Sequence, residues 1–156
     1  MQTLSPCLWF NDNAEEAANF YVSIFKNSKI TGISRYGDAG PGPKGSVMVV
    51  TFQLDGEDFM GLNGGPKFTF SEAISLVVKC ETQAEIDMFW EKLSEGGKKG
   101  VCGWLKDKFG LSWQVVPSQI GELMGGDPAR TNRVMEAVMK MTKLDIAALK
   151  KAYEQG

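Results

Sequence analysis

The sequence contains no histidine among its 156 residues. That excludes Ser-His-Asp and Cys-His catalysis and removes the commonest transition-metal ligand. Cysteine is scarce: Cys7, Cys80 and Cys102 are odd in number and spaced too widely for a Cys-x-x-Cys site. Each lies in or beside an apolar, strand-like run. Two readings follow, small buried hydrophobes in a reducing compartment or, at Cys102 beside glycines and Trp104, a reactive thiol. Basic charge is also limited. Lys and Arg total 17 against 19 Asp and Glu, and no basic cluster exceeds Lys98-Lys99 or Lys150-Lys151. No nucleic-acid partner is expected from that pattern. No apolar run approaches membrane-spanning length. The N-terminus lacks a basic segment followed by an apolar signal core. A cytoplasmic location with no membrane partner is the expectation.

What the sequence does hold is one unit written twice. Asn13-Ala14-Glu15-Glu16 opens the first copy and Phe20-Tyr21 follows it. Thr82-Gln83-Ala84-Glu85 opens the second and Phe89-Trp90 follows, at a constant offset of 69 residues. Each tetrapeptide reads as a helix cap with a Glu placed to reach back to it. Each aromatic pair falls one turn later, on the face a helix turns to a sheet. Phe20 and Phe89 are expected at equivalent buried positions.

Strand patterns surround these helices. Residues 4–10, 29–36, 47–54 and 58–62 read as strands, with a helix at 14–25 and a Gly/Pro loop at 37–45. Asp55-Gly56 is a strong hairpin signal. Residues 73–79, 101–106 and 111–116 repeat the strand pattern around a helix at 83–93. The order predicts a βαβββ module over residues 1–66, a second over 67–117 and a helical tail over 118–156, all in one compact domain. In the tail, Asp127-Pro128 reads as an N-cap followed by Pro at N1. Val134, Met135, Val138, Met139 and Met141 form a stripe that suits core or a subunit interface, and residues 144–153 read as a last helix. Glu15 and Glu16 suit the positive end of the first helix. Lys106-Asp107-Lys108 reads as solvated charge at a turn.

Several segments carry a family resemblance: Pro6 to Phe10, Ala14 to Tyr21, Leu62-Asn63-Gly64-Gly65-Pro66, and Cys102 to Gln114. Over residues 3–117 the chain resembles the PhnB-like group of the vicinal-oxygen-chelate superfamily, which includes glyoxalases, ring-cleaving dioxygenases and bleomycin-resistance proteins. This group is often labelled a 3-demethylubiquinone-9 3-methyltransferase domain. The resemblance implies an α+β fold of paired βαβββ modules whose curved sheets form a cup. In metal-using members, His, Glu or Gln residues on the first and last strands ligate the ion. Those positions fall here at Pro6 and Asn63, then at Ala73 and Gln114. Pro and Ala cannot ligate, and neutral amides are weak donors for a transition metal. The resemblance therefore implies the fold without the metal.

If Gln114 faces the cup, strand alternation brings Ser112, Val116, Ala73, Ser75, Val77, Pro6, Leu8 and Phe10 to the same side. The expected site is an apolar cup with Asn63, Ser75 and Gln114 inside and Trp104 at its rim. Such a lining suits a small neutral or weakly polar ligand; the same polar groups could instead satisfy one another in a closed core. The expected function is small-molecule binding by a homodimer with no cofactor and no assigned catalytic residue. The alternatives are a lyase, isomerase or dioxygenase using Mg or Mn through oxygen ligands, or the labelled methyltransferase activity. The glycine-rich 61–65 segment ends a hairpin strand, where a methyl-donor site would need a strand-to-helix turn.

Overall fold

A computed structural model describes residues 2–155. The chain divides after Phe70 into two compact units. The first contains β1 (Cys7–Phe10), α1 (Ala14–Ile24), β2 (Lys29–Arg35), β3 (Val47–Leu54) and β4 (Glu57–Asn63). The second contains β5 (Ser75–Cys80), α2 (Gln83–Ser94), β6 (Lys98–Lys99), β7 (Trp104–Lys106) and β8 (Ser112–Pro117). Three helices follow: α3 (Ile120–Met124), α4 (Pro128–Met139) and α5 (Ile146–Glu154). Each unit carries a four-stranded mixed sheet, ordered β1-β4-β3-β2 in one and β5-β8-β7-β6 in the other. The two orders are the same, first-fourth-third-second, so the repeated sequence is a repeated βαβββ topology.

In the first unit, α1 covers one sheet face. Val50, Phe52 and Leu54 alternate into the core, and the Tyr21 and Phe52 rings lie 6.3 Å apart. Tyr21 and Trp90 are the fully buried members of the aromatic pairs. Phe20 and Phe89, expected to be buried, are only half-buried. The helix stripe is centred one residue later than the pattern suggested. At the hairpin, Asp55 and Gly56 both take left-handed φ values, 50° and 81°. This is the primed turn whose twist matches the strands it joins.

Strand β1 departs from the expected parity. Leu8 and Phe10 belong to the core. A Cβ on Gly61 would lie 3.2 Å from Ala14 and 3.3 Å from the Phe10 ring, which puts Phe10 on the α1 side. Cys7 and Trp9 therefore face the other way. The expectation failed because β1 begins at Cys7. Pro6 precedes the strand, so alternation cannot be counted through it. Its carbonyl accepts from Met60 N–H at 3.0 Å.

The helix caps differ in kind. Thr82 Oγ1 accepts from Glu85 N–H at 3.2 Å, and Glu85 accepts from Glu81 N–H in return. Asn13, the expected cap of α1, makes no side-chain cap bond. Asn63, distant in sequence, takes that role: Oδ1 accepts from Ala14 N–H at 2.9 Å and Nδ2 donates to Val47 O at 3.1 Å.

In the second unit, Val78, Cys80, Leu105, Trp113 and Val115 are buried with Ile86, Trp90 and Leu93 of α2. The tail adds a core of Val116, Leu123, Val134, Leu144 and Leu149, with Val138 and Met141 packed against it. The expected stripe splits here, because Met135 and Met139 are exposed. The short β6 and α3 had too few residues to show a period. Residues 101–103, read as strand, form a turn. Of the three cysteines only Cys80 is buried. Burial, with a smaller contribution from Glu85, pushes its thiol up to about 11, so it behaves as a small hydrophobe. Cys7 is exposed and Cys102 half-buried.

Asn63→Ala should destabilise the fold by about 1–3 kcal/mol, since it strands a helix N–H and a strand carbonyl. Asn13→Ala should cost less than about 0.5 kcal/mol. Urea unfolding of the two variants checks the assignment, and the reverse order would contradict it.

Candidate functional site

The open face of the second sheet gathers polar groups in an otherwise apolar setting. Its geometry begins at a buried charge on the opposite side. Asp107, expected in solvent, is only 3% exposed. Its Oδ1 accepts from Phe109 N–H and Leu111 N–H at 2.9 and 3.0 Å, and Oδ2 accepts from Trp113 Nε1 at 2.8 Å. Acceptor bonds of this kind stabilise an ionised carboxylate in the interior. They tie the β7–β8 turn to the indole of Trp113 and hold Trp113 in the core. Alternation then turns Ser112 and Gln114 to the open face. An Asp followed within a few residues by Gly is a turn signal; its bond to Trp113 could not be read from spacing.

On that face Gln114 Nε2 donates to Ser75 Oγ at 2.9 Å. Trp104 lies opposite Gln114 across the β7–β8 ladder, and Val77 lies opposite it across β5–β8. Val77 is 50% exposed. Ser112 is flanked in register by Ser75 on one side and Lys106 on the other. The Lys106 ammonium pairs with Glu72, and that hydrogen bond, with the charge behind it, holds the Glu72 carboxyl below the usual range. Ser112 is 1% exposed and its Oγ has no hydrogen-bond partner among the described residues. Sequence parity placed Ser112 on this face but gave no sign that its hydroxyl would be left unpaired.

Three of the four expected site residues, Ser75, Trp104 and Gln114, thus meet on one sheet face. Asn63 belongs to the first unit and its amide is spent on Ala14 and Val47. Asn63 also lines a separate cavity of about 430 Å³ beneath the Gly/Pro loop, with Glu15, Tyr36, Pro41 and Pro43. Tyr36 Oη donates to Asn63 O there at 2.6 Å.

The residues at the superfamily's metal positions do not fit a metal. Pro6 and Ala73 offer no side-chain donor, Asn63 is committed to the backbone, and Gln114 is a neutral amide bound to Ser75. Among the described residues no three His, Cys, Asp or Glu side chains are grouped to hold an ion. Ser75, Gln114 and Trp104 offer hydroxyl, amide and indole groups, and the neighbouring Lys106 ammonium is paired with Glu72. Excess Mg²⁺, Mn²⁺ or Zn²⁺ should therefore leave Tm unchanged. A rise that saturates at one ion per chain would contradict this.

A family model described as 3-demethylubiquinone-9 3-methyltransferase matches residues 2–116. A PhnB protein from Bacillus cereus is 42% identical, with a TM-score of 0.68, covering 74% of this chain and 99% of its own. A Pseudomonas aeruginosa protein at 20% identity has a TM-score of 0.63, covering 75% of this chain and 98% of its own. A fosfomycin resistance protein from Listeria monocytogenes, solved with Mn(II) and sulfate, is 12% identical with a TM-score of 0.55, covering 80% and 97%; it shares the fold. No curated protein matches. With its repeated βαβββ topology and a family match across most of its length, the chain belongs to the PhnB-like 3-demethylubiquinone-9 3-methyltransferase family, with the glyoxalase/bleomycin-resistance fold.

Proposed function

We propose that this chain is a cytoplasmic, homodimeric protein that binds a small, largely uncharged molecule without a metal, on the open face of its second sheet. The observation that carries the reading is Ser112. A buried hydroxyl with no partner costs about 1–3 kcal/mol, and a chain keeps such a group where something else completes it. Gln114 and Ser75 stand beside it to fix orientation, and Trp104 and Val77 supply apolar surface. A ligand with an aromatic or apolar body and one amide- or carbonyl-like group matches that set. The free cysteines suit a reducing compartment. A second copy of the chain would cover exposed apolar residues such as Ile33 and Ile74.

Methyl transfer, the activity in the family's description, has less support. Residues 61–65 close β4 and lead through Pro66 to another strand, with no helix before β5. A methyl-donor site of the usual glycine-rich kind needs that helix N-terminus.

Benzamide is a simple probe, with an aromatic ring and one amide. Ser112→Ala should leave stability unchanged or raise it by up to about 1 kcal/mol, because it removes an unsatisfied group. It should weaken benzamide binding roughly fivefold, the equivalent of one hydrogen bond. Gln114→Leu should weaken binding similarly while costing about 0.5–1.5 kcal/mol through the lost bond to Ser75. NMR titration and urea unfolding measure both. A stability loss from Ser112→Ala with unchanged binding would reject the pocket, as would absence of benzamide binding to the unmodified chain.

A further inference from the structure

We infer that residues 141–146 of the tail are a strap that positions Trp104 and so shapes the open face of the second sheet; the functional half of this rests on the binding reading above. The family match stops at residue 116, so the strap lies outside the matched region.

The argument begins at the turn before Trp104. Trp104 N–H donates to Val101 O at 3.0 Å, closing a four-residue turn. Its central residues, Cys102 and Gly103, have φ values of 59° and 82°. Both are left-handed, as a primed turn requires. Glycine adopts that conformation freely, but cysteine does not. Such a residue persists only where its surroundings hold it.

Here the tail holds it. Cys102 N–H donates to Met141 O and Gly103 N–H to Thr142 O, both at 2.8 Å. Gly103 O accepts from Val115 N–H at 2.8 Å, so the turn is fastened to β8 on its other side. A Cβ on Gly103 would sit 2.9 Å from Val115 O and 3.1 Å from Leu144. Leu144 itself is buried in the tail core.

The strap is anchored in turn to the start of α2. Gln83 Nε2 donates to Leu144 O at 3.0 Å and Gln83 Oε1 accepts from Ile146 N–H at 2.8 Å. One side-chain amide thus grips both sides of Asp145, and Lys143 pairs with Asp87 at 2.8 Å one turn along α2. The route from Gln83 to Trp104 is continuous: amide, strap, left-handed turn, indole. Gln83 touches nothing on the open face, so it is a positioning residue.

The test compares Gln83→Leu with Gln83→Glu, which keeps the acceptor for Ile146 and loses the donor to Leu144 and to Asp87. The indole N–H signal of Trp104 is assigned by its loss in Trp104→Phe. Release of the strap should shift that signal and speed amide exchange at Cys102 and Gly103 by about tenfold or more. The effect should be larger in Gln83→Leu than in Gln83→Glu. Benzamide binding should weaken about threefold in the Trp104 background and stay unchanged in a Trp104→Ala background. An unmoved indole signal with unchanged exchange in the folded Gln83→Glu variant would overturn the strap. So would an equal loss of binding in both backgrounds. If the signal and exchange move but benzamide never binds, the strap is supported and the binding reading fails.

Discussion

The three hydrogen bonds to the Asp107 carboxylate are the interaction on which the rest of the second unit depends. A strand has two faces, and a slip of one residue exchanges them. Asp107 sets the β7–β8 turn and pins Trp113 to the side covered by α2. Ser112 and Gln114 must then lie on the side of the sheet away from α2. The same register pairs Trp104 with Gln114 and Lys106 with Ser112. A buried carboxylate on one side of the sheet therefore determines which groups, Gln114, Trp104 and Lys106 among them, are presented on the other.

The first unit solves the same problem differently. Asn63 joins the end of β4 to the start of α1 and to β3, through bonds at 2.9 and 3.1 Å. The amide that the family resemblance implies for a cup works instead as a long-range helix cap. Gly61 leaves room for the close approach of Ala14 beneath it. The two units share a topology but not the means of fixing the helix against the sheet. This explains why the repeat is clear at the helices and weak at the last strands.

The repeat was legible because caps, aromatic pairs and alternation are local signals. The helices and the Asp55-Gly56 hairpin could be read directly from neighbouring residues, while the facing of β8 followed from the position the family resemblance implies for Gln114. What could not be read depends on contacts distant in sequence. Asn63 finds Ala14 across 49 residues, and Gln83 finds Leu144 across 61. The facing of Leu8 and Phe10 departs from the pattern because Pro6 lies outside the strand, where alternation does not hold. Asp107 looked solvated because Lys106 and Lys108 flank it, while its indole partner lies over the turn. Of the site residues, Gln114 followed from the family resemblance, Ser75 from alternation once Gln114 was placed, and Trp104 from its strand at the rim. The unpaired state of Ser112 was not, since it depends on which hydroxyls find partners once the sheet is built.

The account places ligand recognition on a face made of one unpaired hydroxyl, one oriented amide and an indole held from behind by the tail. Cysteine chemistry has no part in it: Cys80 is inert through burial, and Cys102 serves the turn through its backbone. The most direct measurement is a crystal structure of the protein soaked with benzamide. The account predicts the ring against Trp104, with the amide within hydrogen-bonding distance of Ser112 Oγ. Benzamide bound only in the cavity beneath the Gly/Pro loop, with the second sheet's face empty, would contradict it.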